Sequence, residues 1–375
     1  NDGLYVADVN NYRVQRCYYN DGWTCHTIHG TGSAGDGSDE LNLAYGLGID
    51  DSNHIYIADG GNGRIKECNN IPMFGWACDT FATGLDWPAD VSVDSAGNIY
   101  VSDWLAHTIH KYDSSGSSLG VFLGTEGVPY LTDDGHFNTP HGVAVGSDGS
   151  IYIVEDMGYR LIKLNAAGEP QWTVGEAGVY GDDNAHFGSL WDGPAGMAVD
   201  SSGHVYVADT GNHRIQVYDS SGNYLATLGS YGSGDYQFHD PYGVAVDSND
   251  NIYVADQGNH RVQVYDSDHT YQATLGVTDE AGEDNVHFDH PRGVAVDSAG
   301  RVYVADSDNV RVQRCTLVGT SGECETFVGE TGNTGDDFAH LLKTAFALAR
   351  VNSCISVSYT HLRAHETSLH LVCRL

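Results

Sequence analysis

Residues 194–229, PAGMAVDSSGHVYVADTGNHRIQVYDSSGNYLATLG, contain four short segments with the pattern of β-strands, separated by turn sequences. Met197–Val199 and Val205–Ala208 are continuous apolar runs, whereas Ile215–Tyr218 and Tyr224–Leu228 alternate with polar residues. Asp-Ser-Ser-Gly joins the first two segments and the last two, and Gly supplies the positive φ that such a turn requires. The stretch predicts a four-stranded antiparallel sheet, which is too small to bury both faces without copies of itself.

Copies of this pattern occur along most of the chain. The acidic residue that ends the second segment recurs every 44–54 residues, which is too irregular for a solenoid but fits sheets joined by loops of variable length. These acids are Asp8, Asp59, Asp103, Glu155, Asp209, Asp256 and Asp306. Five positions later comes a basic residue in every copy but one: Arg13, Arg64, Arg160, Arg214, Arg261 and Arg311, with Thr108 as the exception.

The repeated unit GVAVDSxGxVYVADxGNHRIQVYD resembles the NHL repeat, and the resemblance covers residues 3–351. It implies an all-β fold, a β-propeller in which each repeat forms one four-stranded antiparallel blade around a central channel. We expect seven blades, with six, the commoner number in this family, as the alternative. Residues 1–29 supply only strands two to four of the first blade, and Leu342–Val351 aligns with Leu41–Asp50. A C-terminal strand is therefore expected to complete the first blade, which would hide the edges of the open ring.

One domain, residues 1–351, is expected to hold all of the blades. Residues 352–375 carry no blade pattern and resemble read-through of non-native sequence, so we expect a non-propeller tail that is non-native or disordered. Within it, His365 and His370 are one residue too far apart for the HExxH zinc motif. The chain has no initiator Met and begins inside a strand, so we expect a fragment from which a signal peptide could have been lost.

Composition argues against two classes of partner. Lys and Arg number 17 against 51 Asp and Glu, which gives a net charge of −34, and no basic stripe offsets it. Such a field repels phosphate backbones, so no nucleic-acid partner is expected. No apolar run approaches the 18 or more residues of a membrane-spanning helix. The remaining expectation is a monomeric propeller with a protein or glycan ligand.

Six of the eight cysteines form three pairs at the same place in a repeat. The first member of each pair ends the third strand and the second opens the fourth, so hairpin pairing brings them within reach of a disulfide. The pairs are Cys17 with Cys25, Cys68 with Cys78, and Cys315 with Cys324. Free thiols are the alternative, and zinc binding lacks the expected CxxC spacing. Disulfides predict an oxidising compartment and thus an extracellular or periplasmic protein.

Residues that recur in several blades are expected to serve the scaffold. Each repeated acid is predicted to accept backbone N–H groups of the loop between strands two and three and to pair with the following Arg. The histidines also recur blade by blade, which keeps them from converging on one metal: His107, His136, His186, His213, His260 and His287. Acidic pairs in the inter-blade loops leave calcium as an alternative to solvated loops: Asp133-Asp134, Asp182-Asp183, Glu283-Asp284 and Asp336-Asp337.

One position differs from blade to blade, at the start of each innermost strand, where side chains should line the channel mouth. Its occupants are Tyr45, Ala89, His141, Ala195, Tyr242, Arg292 and Phe346. We predict that Tyr45, His141, Tyr242 and Arg292 contact a ligand there, with unconstrained variation as the alternative. Blade 3 also carries Trp104 in its loop, which is predicted either to stack on a sugar or partner side chain or to be buried between blades.

The sequence therefore predicts a secreted binding or scaffold module that uses its loop-rich face and channel mouth to bind a protein or glycan. The alternative is a metal-dependent propeller enzyme, a lyase or a lactonase-like hydrolase, because similar propellers include both. Metal ligands converge at the channel in those enzymes, and here the mouth position offers one imidazole, His141. No catalytic residue and no cofactor is predicted, with calcium or zinc as the alternatives.

Overall fold

Seven four-stranded antiparallel blades form a closed ring in the computed structural model. The structure describes residues 4–8, 12–19, 23–50, 52–73, 75–126, 136–146, 148–188, 192–297, 299–309, 311–328, 346–350, 356–357 and 371–373. The predicted all-β propeller is confirmed, with seven blades rather than six. No helix among these residues is long and apolar enough to cross a membrane.

The first twenty-seven strands follow in chain order and build the blades from the channel outward. Blade 1 begins with β1 (Leu4–Asp8), β2 (Arg13–Tyr19) and β3 (Trp23–His29), and blade 2 contains β4 (Ala44–Ile49), β5 (Ile55–Asp59), β6 (Arg64–Ile71) and β7 (Gly75–Thr83). Blade 3 contains β8 (Pro88–Val93), β9 (Ile99–Asp103), β10 (Thr108–Tyr112) and β11 (Ser118–Gly124), and blade 4 contains β12 (Pro140–Val145), β13 (Ile151–Glu155), β14 (Arg160–Leu164) and β15 (Pro170–Val174).

The last three blades have the same order. Blade 5 contains β16 (Met197–Val199), β17 (Val205–Asp209), β18 (Arg214–Tyr218) and β19 (Tyr224–Leu228), and blade 6 contains β20 (Pro241–Val246), β21 (Ile252–Asp256), β22 (Arg261–Tyr265) and β23 (Tyr271–Gly276). Blade 7 contains β24 (Pro291–Val296), β25 (Val302–Asp306), β26 (Arg311–Val318) and β27 (Ser321–Val328). Single 3-10 turns follow three of the second strands, at Gly60–Asn62, Thr210–Asn212 and Gln257–Asn259.

A C-terminal strand completes the first blade, as predicted. β28 (Phe346–Arg350) pairs antiparallel with β1, with Leu4 opposite Arg350 and Asp8 opposite Phe346. Two further short strands, β29 (Ser356–Val357) and β30 (Leu371–Cys373), pair with β16 and β28. They also contact the innermost strands of blades 2, 4, 6 and 7, and so lie on the channel side of the ring. The histidines considered for a tail metal motif lie outside the described residues.

The second strands of blades 2 to 7 are deeply buried, as are a few of their neighbours, β4, β14, β18 and β22. β5, β9, β13, β17, β21 and β25 are buried along their whole length. Each is covered on both faces by neighbouring blades, which explains why its sequence is apolar rather than alternating. Aromatic side chains from the inter-blade loops fill the space between successive blades: Phe137, Phe187, Phe238 and Phe288.

The repeated acid and arginine fasten the loop that enters each blade. In blade 5, Arg214 Nε donates to Asp209 Oδ2 at 2.7 Å, and its other nitrogens donate to carbonyl oxygens of Asp182, Asp183 and His186. Arg64, Arg261 and Arg311 likewise each donate to three backbone carbonyl oxygens of the loop that enters their blade. Two of the acidic loop pairs therefore contribute backbone carbonyls to the scaffold, and the other two, Asp133-Asp134 and Asp336-Asp337, lie outside the described residues.

The acid's hydrogen bonds correct one prediction. Asp209 Oδ1 accepts the backbone N–H of Gly188, from the loop that enters blade 5, at 2.6 Å. The loop between strands two and three instead provides a side chain, the amide of Asn212. The reason is geometric: the start of strand one and the end of strand two lie at the same end of the sheet, so the incoming loop passes directly over the carboxylate.

The missing arginine of blade 3 has a simple structural explanation. Blade 2 ends at Thr83 and blade 3 starts at Pro88, so the connection, residues 84–87, is too short to form the loop that the arginine binds in other blades. Asp103 still accepts backbone N–H groups, from Asp86 and Trp87, each at 2.8 Å. Thr108 therefore replaces Arg where the carbonyls that the guanidinium binds in other blades are absent.

Three disulfides join strands three and four in blades 1, 2 and 7. The bonded pairs are Cys17–Cys25, Cys68–Cys78 and Cys315–Cys324, and each pair lies directly opposite in its hairpin. The predicted pairing is confirmed. Three disulfides are consistent with an extracellular protein, because thiols stay reduced in the cytosol.

Candidate functional site

The innermost strands carry the predicted mouth residues to the channel wall, where they are more enclosed than expected. Tyr45 and His141 are each 1% exposed and Tyr242 is 8% exposed, whereas Arg292 and Trp104 are half-buried. Strands β29 and β30 lie against several of the same innermost strands and contribute to the covering. The side chain of Phe346 lies outside the described residues.

Three of the predicted residues belong to one aromatic arc across blades 2, 3 and 4. The Tyr45 ring lies 6.2 Å from the ring of Trp87, whose carbonyl accepts the backbone N–H of Trp104 at 3.0 Å. The Trp104 ring lies 6.2 Å from that of His141 in an edge-to-face arrangement. Burial raises the pKa of Tyr45 to about 12, so its hydroxyl remains protonated at neutral pH.

The other two predicted residues form a separate pair on blades 6 and 7. The guanidinium carbon of Arg292 lies 5.6 Å from the centre of the Tyr242 ring, within the range of a cation–π interaction. Blade 5 separates this pair from the aromatic arc on one side, and blade 1 separates them on the other. The predicted residues thus form two groups rather than one continuous surface.

Asp90 was not predicted, yet it is the most unusual residue of the channel wall. Five of the other six innermost strands have glycine at its position, and β28 has Ala347; the glycines are Gly46, Gly142, Gly196, Gly243 and Gly293. Glycine fits there because adjacent blades approach closely; a Cβ on Gly196 would lie 2.5 Å from the carbonyl oxygen of Tyr242. The sequence shows this difference one position after Ala89, which belongs to the set of mouth residues compared between blades.

Asp90 belongs to a polar group that joins blades 3 and 4. Its carboxyl oxygens accept the backbone N–H groups of Val91 at 2.9 Å and of Val143 at 3.2 Å. Ser102 Oγ accepts the Asp90 N–H at 3.0 Å and donates to the His141 carbonyl at 2.7 Å. Burial raises the pKa of Asp90 to about 8, and the two backbone hydrogen bonds only partly oppose this.

Blade 3 differs from its neighbours in further polar groups. Ser102 stands where five other second strands have alanine, at Ala7, Ala58, Ala208, Ala255 and Ala305. The indole nitrogens of Trp87 and Trp104 are buried, and the described residues offer them no hydrogen-bond acceptor. A buried donor without an acceptor is rare in folded proteins and marks a place where a ligand group could bind.

The recurring histidines make local contacts. His107, His213 and His260 adopt left-handed backbone angles, with φ of 59°, 55° and 55°. The Nδ1 atom of each accepts a backbone N–H from the segment entering the next blade, at 3.1–3.2 Å. The loop histidines bind neighbouring side chains: His186 with Asp183, His287 with Asp284 and His136 with Thr125.

A polar cavity of about 350 Å³ lies on the opposite face, between blades 1 and 2. Its walls include Tyr5, Arg16, Asn69 and Trp76. The Arg16 guanidinium carbon lies 5.8 Å from the Tyr5 ring centre and 6.0 Å from that of Trp76. None of the residues predicted from sequence lines this cavity.

The channel mouth does not match a catalytic metal centre. Catalytic zinc sites use three protein ligands that converge on one ion. The described mouth position offers one imidazole, His141, whose ring packs against Trp104, while the same position is alanine in two blades and tyrosine in two others. Among the described residues, this one position does not supply the three converging ligands of a catalytic zinc site.

The family model for the NHL repeat matches residues 192–218, 238–265 and 288–315. NHL repeat-containing protein 3 of Homo sapiens is 38% identical over 122 residues, which cover 32% of this chain and 33% of that protein. A protein of Caenorhabditis elegans named "probable peptidyl-alpha-hydroxyglycine alpha-amidating lyase" is 29% identical over 147 residues, 38% of this chain and 40% of that protein. The chain thus matches about a third to two fifths of these curated relatives.

Among solved structures, a streptogramin B lyase has a similar fold, with a TM-score of 0.60 and 13% sequence identity. The match covers 96% of this chain and 98% of that one. At this identity the likeness concerns the fold and not the activity. Residues 192–218, 238–265 and 288–315 are thus NHL repeats, and they lie in blades 5, 6 and 7 of a seven-bladed propeller.

Proposed function

We propose that the chain is a secreted binding module whose ligand, a glycan, binds at the channel mouth on blades 2 to 4. The observation that carries this proposal is Asp90, a carboxyl group where five of the other six innermost strands have glycine. A residue that every blade shares serves the blade, whereas one that a single blade carries is available for recognition. Ser102 and the two indole groups lie in the same blade and support the assignment.

The side chains at the channel mouth on blades 2 to 4 favour a carbohydrate ligand. Sugars present apolar C–H faces that stack on aromatic rings and hydroxyl groups that both donate and accept hydrogen bonds. Trp87 and Trp104 provide indole N–H donors, and Tyr45 and His141 provide further rings of the arc. A protein ligand, the other predicted class, would need a wider exposed surface than these enclosed side chains offer.

Arg292 and Tyr242 extend the proposal to the other side of the mouth. A guanidinium stacked on an aromatic ring presents its N–H groups to a carboxylate or sulfate. On a chain of net charge −34 such a cation would select acidic groups on a ligand long enough to cross the opening. The pair is therefore proposed as a second contact.

An enzymatic role is the competing proposal, because of the similarity to the amidating-lyase relative. The two proposals differ in what the channel must hold: the enzyme requires a stoichiometric metal there, and the binding module does not. Metal analysis of the purified chain, followed by replacement of His141, separates them. A channel metal that disappears in His141→Ala would support the enzyme.

Glycan-array screening of the full chain tests the binding proposal. We expect retention of a defined set of oligosaccharides, with affinity for the best of them reduced at least about tenfold by Trp104→Ala. Trp76→Ala is the matched control, because it removes a tryptophan from the cavity on the opposite face. Loss of binding in the control together with full binding in Trp104→Ala would overturn the assignment to the mouth. Binding to no glycan would overturn the ligand class.

A further inference from the structure

Two histidines and two aspartates meet where blade 6 joins blade 7. His260 ends the turn after β21, Asp289 and His290 lead into β24, and Asp308 follows β25. His290 Nδ1 lies 2.7 Å from Asp289 Oδ1 and 3.0 Å from Asp308 Oδ2. His260 Nδ1 lies 3.4 Å from the same oxygen of Asp289. Three separate loops therefore bring metal-ligating side chains together on the loop-rich face: His260, Asp289 and His290 form one group, and Asp308 adjoins it through His290.

The preceding junction lacks this arrangement although its sequence is similar. Between blades 5 and 6 the order is His239-Asp240 rather than Asp289-His290, and His213 Nδ1 lies 3.1 Å from Asp240 Oδ1. The position that corresponds to Asp308 is Gly258 there, where a Cβ would come within 2.6 Å of the His239 ring. The fourth side chain is thus specific to the junction of blades 6 and 7.

The donor set matches the preference of a divalent transition-metal ion. Imidazole nitrogens with carboxylate oxygens suit zinc, whereas calcium takes oxygen ligands. Donor atoms about 2.0–2.1 Å from a tetrahedral zinc ion lie about 3.3 Å apart. Three of the six donor separations, at 2.7–3.4 Å, are close to this value, and the donors of His260, Asp289 and His290 all lie within 4.8 Å of one another, so rotation of the side chains would accommodate the ion.

The present contacts of the cluster define what an ion would replace. His260 Nδ1 accepts the backbone N–H of His290 at 3.2 Å, so coordination by His260 requires its ring to turn away from this hydrogen bond. His290 Nδ1 already lies between the carboxylates of Asp289 and Asp308, where an ion would take the place of a proton.

We propose that the junction of blades 6 and 7 binds a divalent transition-metal ion such as Zn²⁺ through four side chains: His260, Asp289, His290 and Asp308. The ion links the two blades on the loop-rich face. It is distinct from any channel metal, because it lies between loops rather than on the innermost strands. Its four side chains are also separate from those of the glycan proposal, which lie on blades 2 to 4 with a second contact at Tyr242 and Arg292.

Calorimetric titration of the untagged, chelator-treated full chain with zinc chloride tests the site. We expect a zinc-binding event that weakens at least about tenfold in His290→Asn and in Asp308→Gly. Asparagine is chosen because His290 has a φ of 48°, which asparagine tolerates, and glycine because the preceding blade has it at the position of Asp308. Asp240→Asn, the equivalent change at the junction of blades 5 and 6, is the matched control.

The outcomes separate clearly. Equal zinc affinity in the wild type and in both variants would overturn the proposal, because the ion would then be bound elsewhere. Zinc affinity that is lost only in the Asp240→Asn control would overturn it as well. Calcium binding without zinc binding would also overturn it. Thermal denaturation provides a second measurement: zinc should raise the melting temperature of the wild type more than that of Asp308→Gly, the variant with the smaller structural change.

Discussion

Asp90 is a carboxyl group at a position where the close approach of neighbouring blades otherwise favours glycine. Its side chain is 1% exposed, and the two hydrogen bonds to its carboxyl oxygens come from backbone N–H groups. Desolvation of the charged form outweighs those hydrogen bonds and raises the pKa to about 8. A buried group of this kind lowers stability when ionised, so its presence in a single blade indicates a role other than packing.

Replacement of Asp90 by Asn should change how stability depends on pH. Because the folded-state pKa lies above the ordinary value of 3.8, the contribution of Asp90 is fully present below about pH 4 and is lost as the pH rises through about 8. Asn keeps the shape and cannot ionise, although its amide nitrogen cannot accept the second of the two backbone N–H groups. We therefore expect the melting temperature of the variant, relative to that of the wild type, to rise by at least about 2 °C between pH 4 and pH 8. Parallel curves across this range would contradict the buried, protonated carboxyl.

At the scale of elements, one arginine binds the loop between blades, in addition to the packing of the buried phenylalanine of that loop. Arg214 lies between the carboxylate of Asp209 and three backbone carbonyls, and both side chains are largely buried. In blade 3 the connection from blade 2 is short, and Thr108 stands in place of the arginine. The length of the loop and the presence of the arginine therefore vary together.

Arg214→Ala should destabilise the propeller strongly, because it leaves a buried carboxylate and three carbonyl groups without their donor. We expect a loss of about 3–5 kcal/mol in the free energy of unfolding, measured by urea denaturation. Arg314→Ala is the control, since Arg314 pairs with the exposed carboxylate of Glu325 across one hairpin. That change should cost no more than about 1 kcal/mol. Equal losses in the two variants would mean that the hydrogen bonds from Arg214 to the loop contribute nothing to the free energy of unfolding.

The hairpin disulfides belong to the same scale. Cys68 and Cys78 close a short loop, so in the chain-entropy description their bond contributes at most about 2–3 kcal/mol. The double variant Cys68→Ala/Cys78→Ala should therefore lower the melting temperature without preventing folding. Non-reducing peptide mapping of the wild type should recover three bonded pairs. Six cysteines open to alkylation before reduction would refute the pairing.

Repetition made the elements predictable, and the absence of repetition made the site difficult. Seven copies of one pattern were enough to predict the blades, the closing strand and the disulfides, because each depends on contacts within a hairpin or a sheet. The enclosure of Tyr45 and His141 depends on neighbouring blades and on β29 and β30, which no local pattern reveals. Asp90 stands out only when the blades are compared at the glycine position of the innermost strand, which is not a position where a functional residue is expected.

For the whole molecule, the decisive contact is between the two ends of the described chain. β28 pairs with β1 over five residue pairs and turns a row of blades into a closed ring. Without it, the backbone groups of β1 would face an open edge, and Tyr5, Val6 and Ala7, which are now buried, would lose their cover. Closed rings avoid the exposed edges through which sheets associate.

Two truncations test this closure. Deletion of residues 340–375 removes β28 and should lower the melting temperature sharply and produce dimers or larger species by light scattering. Deletion of residues 353–375 removes β29 and β30, which form only two or three residue pairs with each neighbouring strand, and should leave the melting temperature nearly unchanged. The shorter deletion should also uncover the channel wall, so glycan binding at the mouth should be retained or strengthened. If the two deletions reduced stability equally, the ring would depend on the tail rather than on the pairing of β28 with β1.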